Sequence, residues 1–210
     1  MEGGSTRRLA IIVHADVAGS TSLVQLDETL AHERIQDVFR RFSETIASHG
    51  GIAHELRGDA LVAGFAKVSD AVSASLDFQK SNAAHNEGLP DGLRPEIRVG
   101  IAMGEVVVAD NTVTGEGVVM AQRLEQMAAP GGVCIQGAAY ETMPKRLPFE
   151  FQDLGERELK GFDEPVRAYV VSTRADGDIG PAGAMGDESA AAEELPSIAV
   201  LPFDNMSGDP

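Results

Sequence analysis

Three phrases of the sequence combine acids or an arginine with small residues in patterns that could handle a metal-bound phosphate. The first is Ala15-Asp16-Val17-Ala18-Gly19-Ser20-Thr21-Ser22, a carboxylate at the end of an apolar run followed by a small-residue turn. Backbone N–H groups in such a turn, where a helix begins, can hold a polyphosphate without any side chain. No Gly-Lys-Ser/Thr follows, so this is not a Walker A loop. The second phrase is Leu56-Arg57-Gly58-Asp59-Ala60-Leu61, with Asp59 at the tip of a tight hairpin. A hard divalent cation takes carboxylate and carbonyl oxygens from separate elements, and a pair of ions can clamp both ends of an in-line displacement. The third runs from Gly115-Glu116-Gly117-Val118-Val119 through Arg123-Leu124-Glu125 to Pro130-Gly131-Gly132. On a helix, Arg123 falls opposite Val118, Ala121 and Leu124, as a solvated charge or as a phosphate-binding guanidinium. Each acid also has an ordinary alternative, Asp16 as a helix cap and Asp59 as a turn former.

These phrases need elements to position them. Residues 9–15 form an apolar run that predicts a buried strand ending at Asp16. Ile35, Val38, Phe39, Phe42 and Ile46 recur at helical spacing, and His49-Gly50-Gly51 supplies the stop. Residues 51–65 read as two strands joined at Gly58-Asp59, and residues 68–82 as a second amphipathic helix. Residues 97–102 and 106–109 read as a strand pair turning at Met103-Gly104. A helix is expected over 116–128, with short strands near 133–136, 149–153 and 167–171. This order predicts an α+β fold of ferredoxin-like type, with helices packed on one mainly antiparallel sheet.

Composition narrows the partners. Among 210 residues, 17 Lys and Arg face 33 Asp and Glu, a net charge of −16 that argues against nucleic acid or an anionic membrane surface. Half of that excess lies after Arg174, where 8 acids occur without a single Lys or Arg. The lone Cys134 excludes an internal disulfide and a Cys-based zinc site. No stretch approaches a membrane span and no signal-peptide pattern opens the chain, so a cytoplasmic setting is expected. The five histidines make no metal-ligand spacing with one another, and His14 is expected to pack within its strand. No Gly-x-Ser-x-Gly elbow is present.

Residues 1–8 read as a tail and 9–173 as one domain. Residues 174–195 lack an apolar period and read as a flexible acidic linker. Residues 196–210 (PSIAVLPFDNMSGDP) read as the truncated start of a second domain, and they resemble the opening of TolB-like domains. The acidic segment suggests an autoinhibitory cover over the metal site.

The ordered motifs resemble those of class III adenylate/guanylate cyclase catalytic domains. They are Ala-Asp-x-x-Gly-x-Thr, Gly-Gly…Gly-Asp, Gly104-Glu105-Val106, and Val-x-x-Ala-x-Arg-Leu-Glu, with Glu158-Leu159-Lys160-Gly161…Glu164-Pro165-Val166 closing the series. The resemblance implies catalysis at a homodimer interface, converting ATP or GTP to a cyclic nucleotide and pyrophosphate. It implies that Asp16, Asp59 and the Val17 carbonyl hold two Mg2+ or Mn2+ ions. Gly19, Ser20 and Thr21 then lie at the phosphates, Thr112 at the purine-selecting position, and Arg123 reaches the partner's site to take charge at the α-phosphate.

Two positions depart from the family pattern. A lysine that helps select the purine is replaced by Glu55, which cannot donate to a purine acceptor; Arg57, two residues on, is expected to replace part of the missing charge. An asparagine that orients the ribose is replaced by Val119. Loss of one such donor costs about 3–4 kcal/mol, roughly 10²–10³ in rate. Reduced cyclase activity is therefore expected. The alternatives are a catalytically silent nucleotide-binding regulatory module and a dimerisation scaffold.

Overall fold

The computed structural model describes residues 6–57, 60–90, 92–109, 112–144 and 146–173. The expectations for the linker, the acidic cover and the second domain lie outside the described residues. The elements in chain order are β1 (Thr6–Ala18), α1 (Ser20–Leu26), α2 (Glu28–Ser48), β2 (Ile52–Arg57), β3 (Ala60–Phe65), α3 (Val68–Glu87) and β4 (Glu96–Ala109). There follow β5 (Thr112–Thr114), α4 (Glu116–Met127), β6 (Val133–Gln136), α5 (Gly137–Glu141), β7 (Phe149–Arg157) and β8 (Val166–Thr173). One sheet is ordered β2-β3-β1-β4-β6-β8-β7, with β5 paired to β4. The β4–β6 pair is parallel and the other described pairs are antiparallel, so the fold is α+β with a mainly antiparallel sheet.

Side-chain alternation along β1 and β4 divides the core in two. Ile11, Val13, Ala15 and Val17, with Ile97, Val99 and Ile101, face the layer made by α2 and α3. The helical stripe of α2, from Ile35 to Ile46, is buried there, and Phe42 stacks on Phe78 of α3 with ring centroids 4.1 Å apart. Asp27 starts α2 by accepting a hydrogen bond from the Leu30 N–H at 3.0 Å. Amide side chains of α3 tie down the entrance to β4: Gln79 Nε2 donates to the Ile97 carbonyl at 2.7 Å, and Asn82 Nδ2 to the Pro95 carbonyl at 2.9 Å.

The other face carries α4. Ile12, Ala102 and Val106 meet Met120, Ala121 and Leu124. Two glycines of β4 allow this helix to lie directly on the sheet. A Cβ at Gly100 would sit 2.0 Å from the Ala121 carbonyl oxygen, and one at Gly104 would sit 2.7 Å from the Gly117 Cα.

That packing corrects the expected turn at Met103-Gly104. The segment is a single strand, Glu96–Ala109, paired along its length with β1, and Gly104 lies opposite Ala10 within it. Gly104 admits a helix; it does not bend the chain. Asp16 is likewise not the last residue of its strand, since β1 continues to Ala18. Helix α3 runs on to Glu87, beyond the expected end at Asn82, because Asn82 and Asn86 both donate to Pro95. The short elements α5 and β5 were not anticipated, whereas α1 begins where a helix was expected, directly after the turn at Gly19.

Candidate metal and nucleotide site

Strand β1 lies between β3 and β4, and the register sets Asp16 opposite Ala60 on one side and Arg98 on the other. His14, two residues back on the same face, lies opposite Val62 and Gly100. Because Gly100 has no side chain, α4 approaches closely enough to set Glu125 into this row. Glu125 is 2% exposed and His14 is 6% exposed.

A charged row results. Arg98 Nη2 donates to Asp16 Oδ2 at 2.7 Å. Arg98 Nε lies 2.9 Å from Glu125 Oε1, and Glu125 Oε2 lies 3.7 Å from His14 Nδ1. The Nε–Oε1 approach is an ion pair without hydrogen-bond alignment. Burying a carboxylate this deeply is unfavourable unless a cation accompanies it, and the Arg98 guanidinium meets that need.

Beside this row is a cleft of about 590 Å³, with walls that include Asp16, His14, Glu125, Ala60, Gln122 and Val119. Val119 on its wall is 40% exposed and offers no side-chain hydrogen-bond donor. A separate groove of about 420 Å³ is walled mainly by apolar residues such as Leu9, Phe65 and Val106, with Arg8 and His54 also on its walls.

The other site candidates are distributed around this centre. Val17 is buried in β1 opposite Ile97. Gly19 adopts the left-handed conformation (φ 68°), which lets β1 turn at once into α1, where Ser20 and Thr21 form the first two positions. The backbones at Glu55 and Arg57 pair with Val62 and Ala60, after a bulge between Ala53 and Glu55. Asp59 lies outside the described residues, and β2 and β3 on either side pair antiparallel, with Arg57 opposite Ala60. Thr112 opens β5 opposite Ala109. Arg123 does not face the Asp16 cleft. Its Nε donates to the Lys160 carbonyl at 3.1 Å and its Nη1 to Gln126 Oε1 at 3.0 Å, which attaches α4 to the segment between β7 and β8.

Sequence reasoning missed Arg98 and the role of Glu125. The signal was the interruption of Ile97-Arg98-Val99-Gly100-Ile101, where alternation sets a cation and a glycine on one face of an otherwise apolar strand. His14 is buried in its strand as expected, but it is also paired with Glu125. Among the described residues no three His, Cys, Asp or Glu side chains cluster as a metal site.

The model of the adenylate and guanylate cyclase catalytic domain matches residues 6–173. The chain belongs to this family. The matched cyclase domain ends with β8. The chain is 35% identical over 205 residues to the putative adenylate cyclase 3 of Rhizobium meliloti, covering 97% of this chain and 35% of that protein. It is 32% identical over 155 residues to an uncharacterised protein of Mycobacterium tuberculosis, covering 72% and 51% respectively. It thus spans about a third and about half of these relatives. The crystal structure of an adenylate/guanylate cyclase/hydrolase from Silicibacter pomeroyi matches at 30% identity with a TM-score of 0.73, covering 80% of this chain and 99% of that chain. The adenylyl cyclase CyaB from P. aeruginosa shares the fold, with a TM-score of 0.68 at 23% identity over 80% of this chain and 95% of that chain. No described helix is long and apolar enough to cross a membrane.

Proposed function

We propose that the domain converts ATP or GTP to a 3′,5′-cyclic nucleotide and pyrophosphate, at sites shared between two copies of the chain. The 3′-hydroxyl oxygen of the ribose attacks the α-phosphorus, the bond to the β-phosphate oxygen breaks, and the hydroxyl proton passes to solvent. Two divalent ions, Mg2+ or Mn2+, would be held by Asp16, the Val17 carbonyl and Asp59. The carrying observation is the Asp16 carboxylate on the wall of a nucleotide-sized cleft, in register with Ala60, the residue that follows Asp59.

The donors fit such ions in chemical type. Asp16 supplies a hard carboxylate oxygen that already attracts a cation, Arg98, at 2.7 Å. When bound, the ions would acidify the 3′-hydroxyl and offset charge on the leaving pyrophosphate. The turn at Gly19, Ser20 and Thr21 offers backbone N–H groups to the phosphates. Arg123 donates to the Lys160 carbonyl and is not among the walls of its own Asp16 cleft, and this supports its action on the nucleotide held by a partner's aspartates. Thr112, Glu55 and Arg57 are assigned to the purine. Val119 supplies no donor to the ribose, so turnover is slow. Since ATP and GTP are intracellular, we place the domain in cytoplasmic signalling.

Incubating the purified protein with ATP or GTP and Mn2+, beside an Asp16→Ala control, tests the reading. Cyclic product from the wild type alone is expected. No product from either nucleotide would sink the enzyme assignment. Thermal stabilisation by nucleotide without product would favour a silent nucleotide-binding module, for which the donor-free Val119 on the cleft wall is the specific support.

A further inference from the structure

We propose that Arg98 is a built-in counter-cation of Asp16 that an entering divalent ion must displace, and that Glu125 retains the guanidinium when this happens. The proposal rests on the assignment of Asp16 as a metal ligand.

The guanidinium spans two carboxylates in different surroundings. Its Nη2 end lies 2.7 Å from Asp16 Oδ2, while its Nε lies 2.9 Å from Glu125 Oε1. The side chain of Glu125 is 3% exposed, that of Asp16 21% and that of Arg98 27%. The inner end of the fork is therefore ion-paired with a buried carboxylate, and the outer end bonds Asp16, which lines the cleft. Arginine cannot shed its proton, so an ion arriving at Asp16 meets a permanent positive charge a few ångströms away. The Asp16 contact can open without leaving an unpaired cation, because Glu125 still faces Nε. Glu125 is held by the backbone fit of α4 over Gly100, so it does not follow Arg98 outward. Arg98 thus disfavours a lone ion at Asp16, and Glu125 weakens that hold by sharing the charge.

Titration of Mn2+ into the nucleotide-free full chain, followed by the electron paramagnetic resonance of the free ion, reads this directly. Arg98→Met should tighten Mn2+ binding by about tenfold, the scale of removing one nearby like charge. Because that variant leaves the buried Glu125 carboxylate without its arginine, Arg98→Met combined with Glu125→Gln provides a second variant in which this buried charge is removed as well, and it should also bind more tightly. Glu125→Gln alone should bind several-fold more weakly, because all of the arginine's charge then falls to Asp16. Asp16→Asn should abolish binding in every background. If Asp16→Asn abolishes binding but the folded double variant binds no more tightly than wild type, the counter-cation role is overturned and the metal assignment stands. If Asp16→Asn leaves Mn2+ binding intact, the metal assignment fails and the role of Arg98 fails with it.

Discussion

The two faces of the sheet are built from the same strands but solve different problems. The face under α2 and α3 is an apolar layer, with Phe39, Phe42 and Phe78 fully enclosed and the amides of Gln79 and Asn82 reaching the entrance to β4. The face under α4 accepts charge: His14, Glu125, Arg98 and Asp16 lie in one row, and two glycines bring the helix onto the strands. Alternation along β1 puts Val13, Ala15 and Val17 on the first face and Ile12, His14 and Asp16 on the second. The apolar layer and the charged row are therefore separated by a single residue step.

This contrast can be broken by changes on either face. The largest effect is expected from Phe78→Ala, which empties the stack with Phe42 and should destabilise the domain by about 3–5 kcal/mol. Urea unfolding measures the loss, while Mn2+ affinity of the folded fraction should stay unchanged; a parallel fall in affinity would show that the two faces are not separate. Gly100→Ala comes next. Its new Cβ would clash with the backbone of α4, which cannot rotate away as a side chain can, for about 3 kcal/mol. Here the Mn2+ affinity of the folded fraction should fall as well, because Glu125 moves with its helix. Retained affinity would detach the charged row from the helix packing.

Cys134 sharpens the comparison through pH. It lies in β6 opposite Gly100 and Val170, and burial pushes its thiol from the usual 9.0 up to about 12. The folded state keeps the thiol protonated where the unfolded chain ionises it. Its contribution to stability is therefore complete below about pH 9 and is lost as pH rises toward about 12. Comparing urea midpoints of wild type and Cys134→Ala at about pH 8 and about pH 10.5 should show the wild type losing more, and equal losses would contradict the burial effect. The smallest change is expected at the sheet edge, from Asp153→Asn. Arg167 first, and the Gly155 N–H second, hold the Asp153 carboxyl below its usual 3.8, and both partners of the pair are exposed. Its contribution is present above that value and is lost as pH falls through the lowered one, so the variant should differ from wild type chiefly by a flatter stability curve in acid. An unchanged acid limb would show that the pair does not matter.

Much of the fold was legible because its signals are local. The stripe on α2, the antiparallel pairing of β2 with β3 and the glycine stop after α4 each follow from neighbours a few positions apart. The error at Gly104 has the same origin in reverse. A glycine between two apolar runs predicts a turn locally, and only the distant Gly117 shows that it serves close packing. In the site, Asp16 was legible because an acid ending an apolar run stands out. Arg98 was not, since a charge within a strand is ordinarily a solvent-facing residue.

The sequence by itself determined most of the longer elements, the α+β class, the family motifs and which residues are candidates for metal and phosphate chemistry. The tertiary structure decided which of them share an environment. Asp16, Arg98 and Glu125 are far apart in the chain, and they meet only because antiparallel register aligns β1 with β4 while Gly100 admits α4. Periodicity fixes the face on which a residue lies. The charge opposite it depends on register and close approach, which are properties of the packed chain.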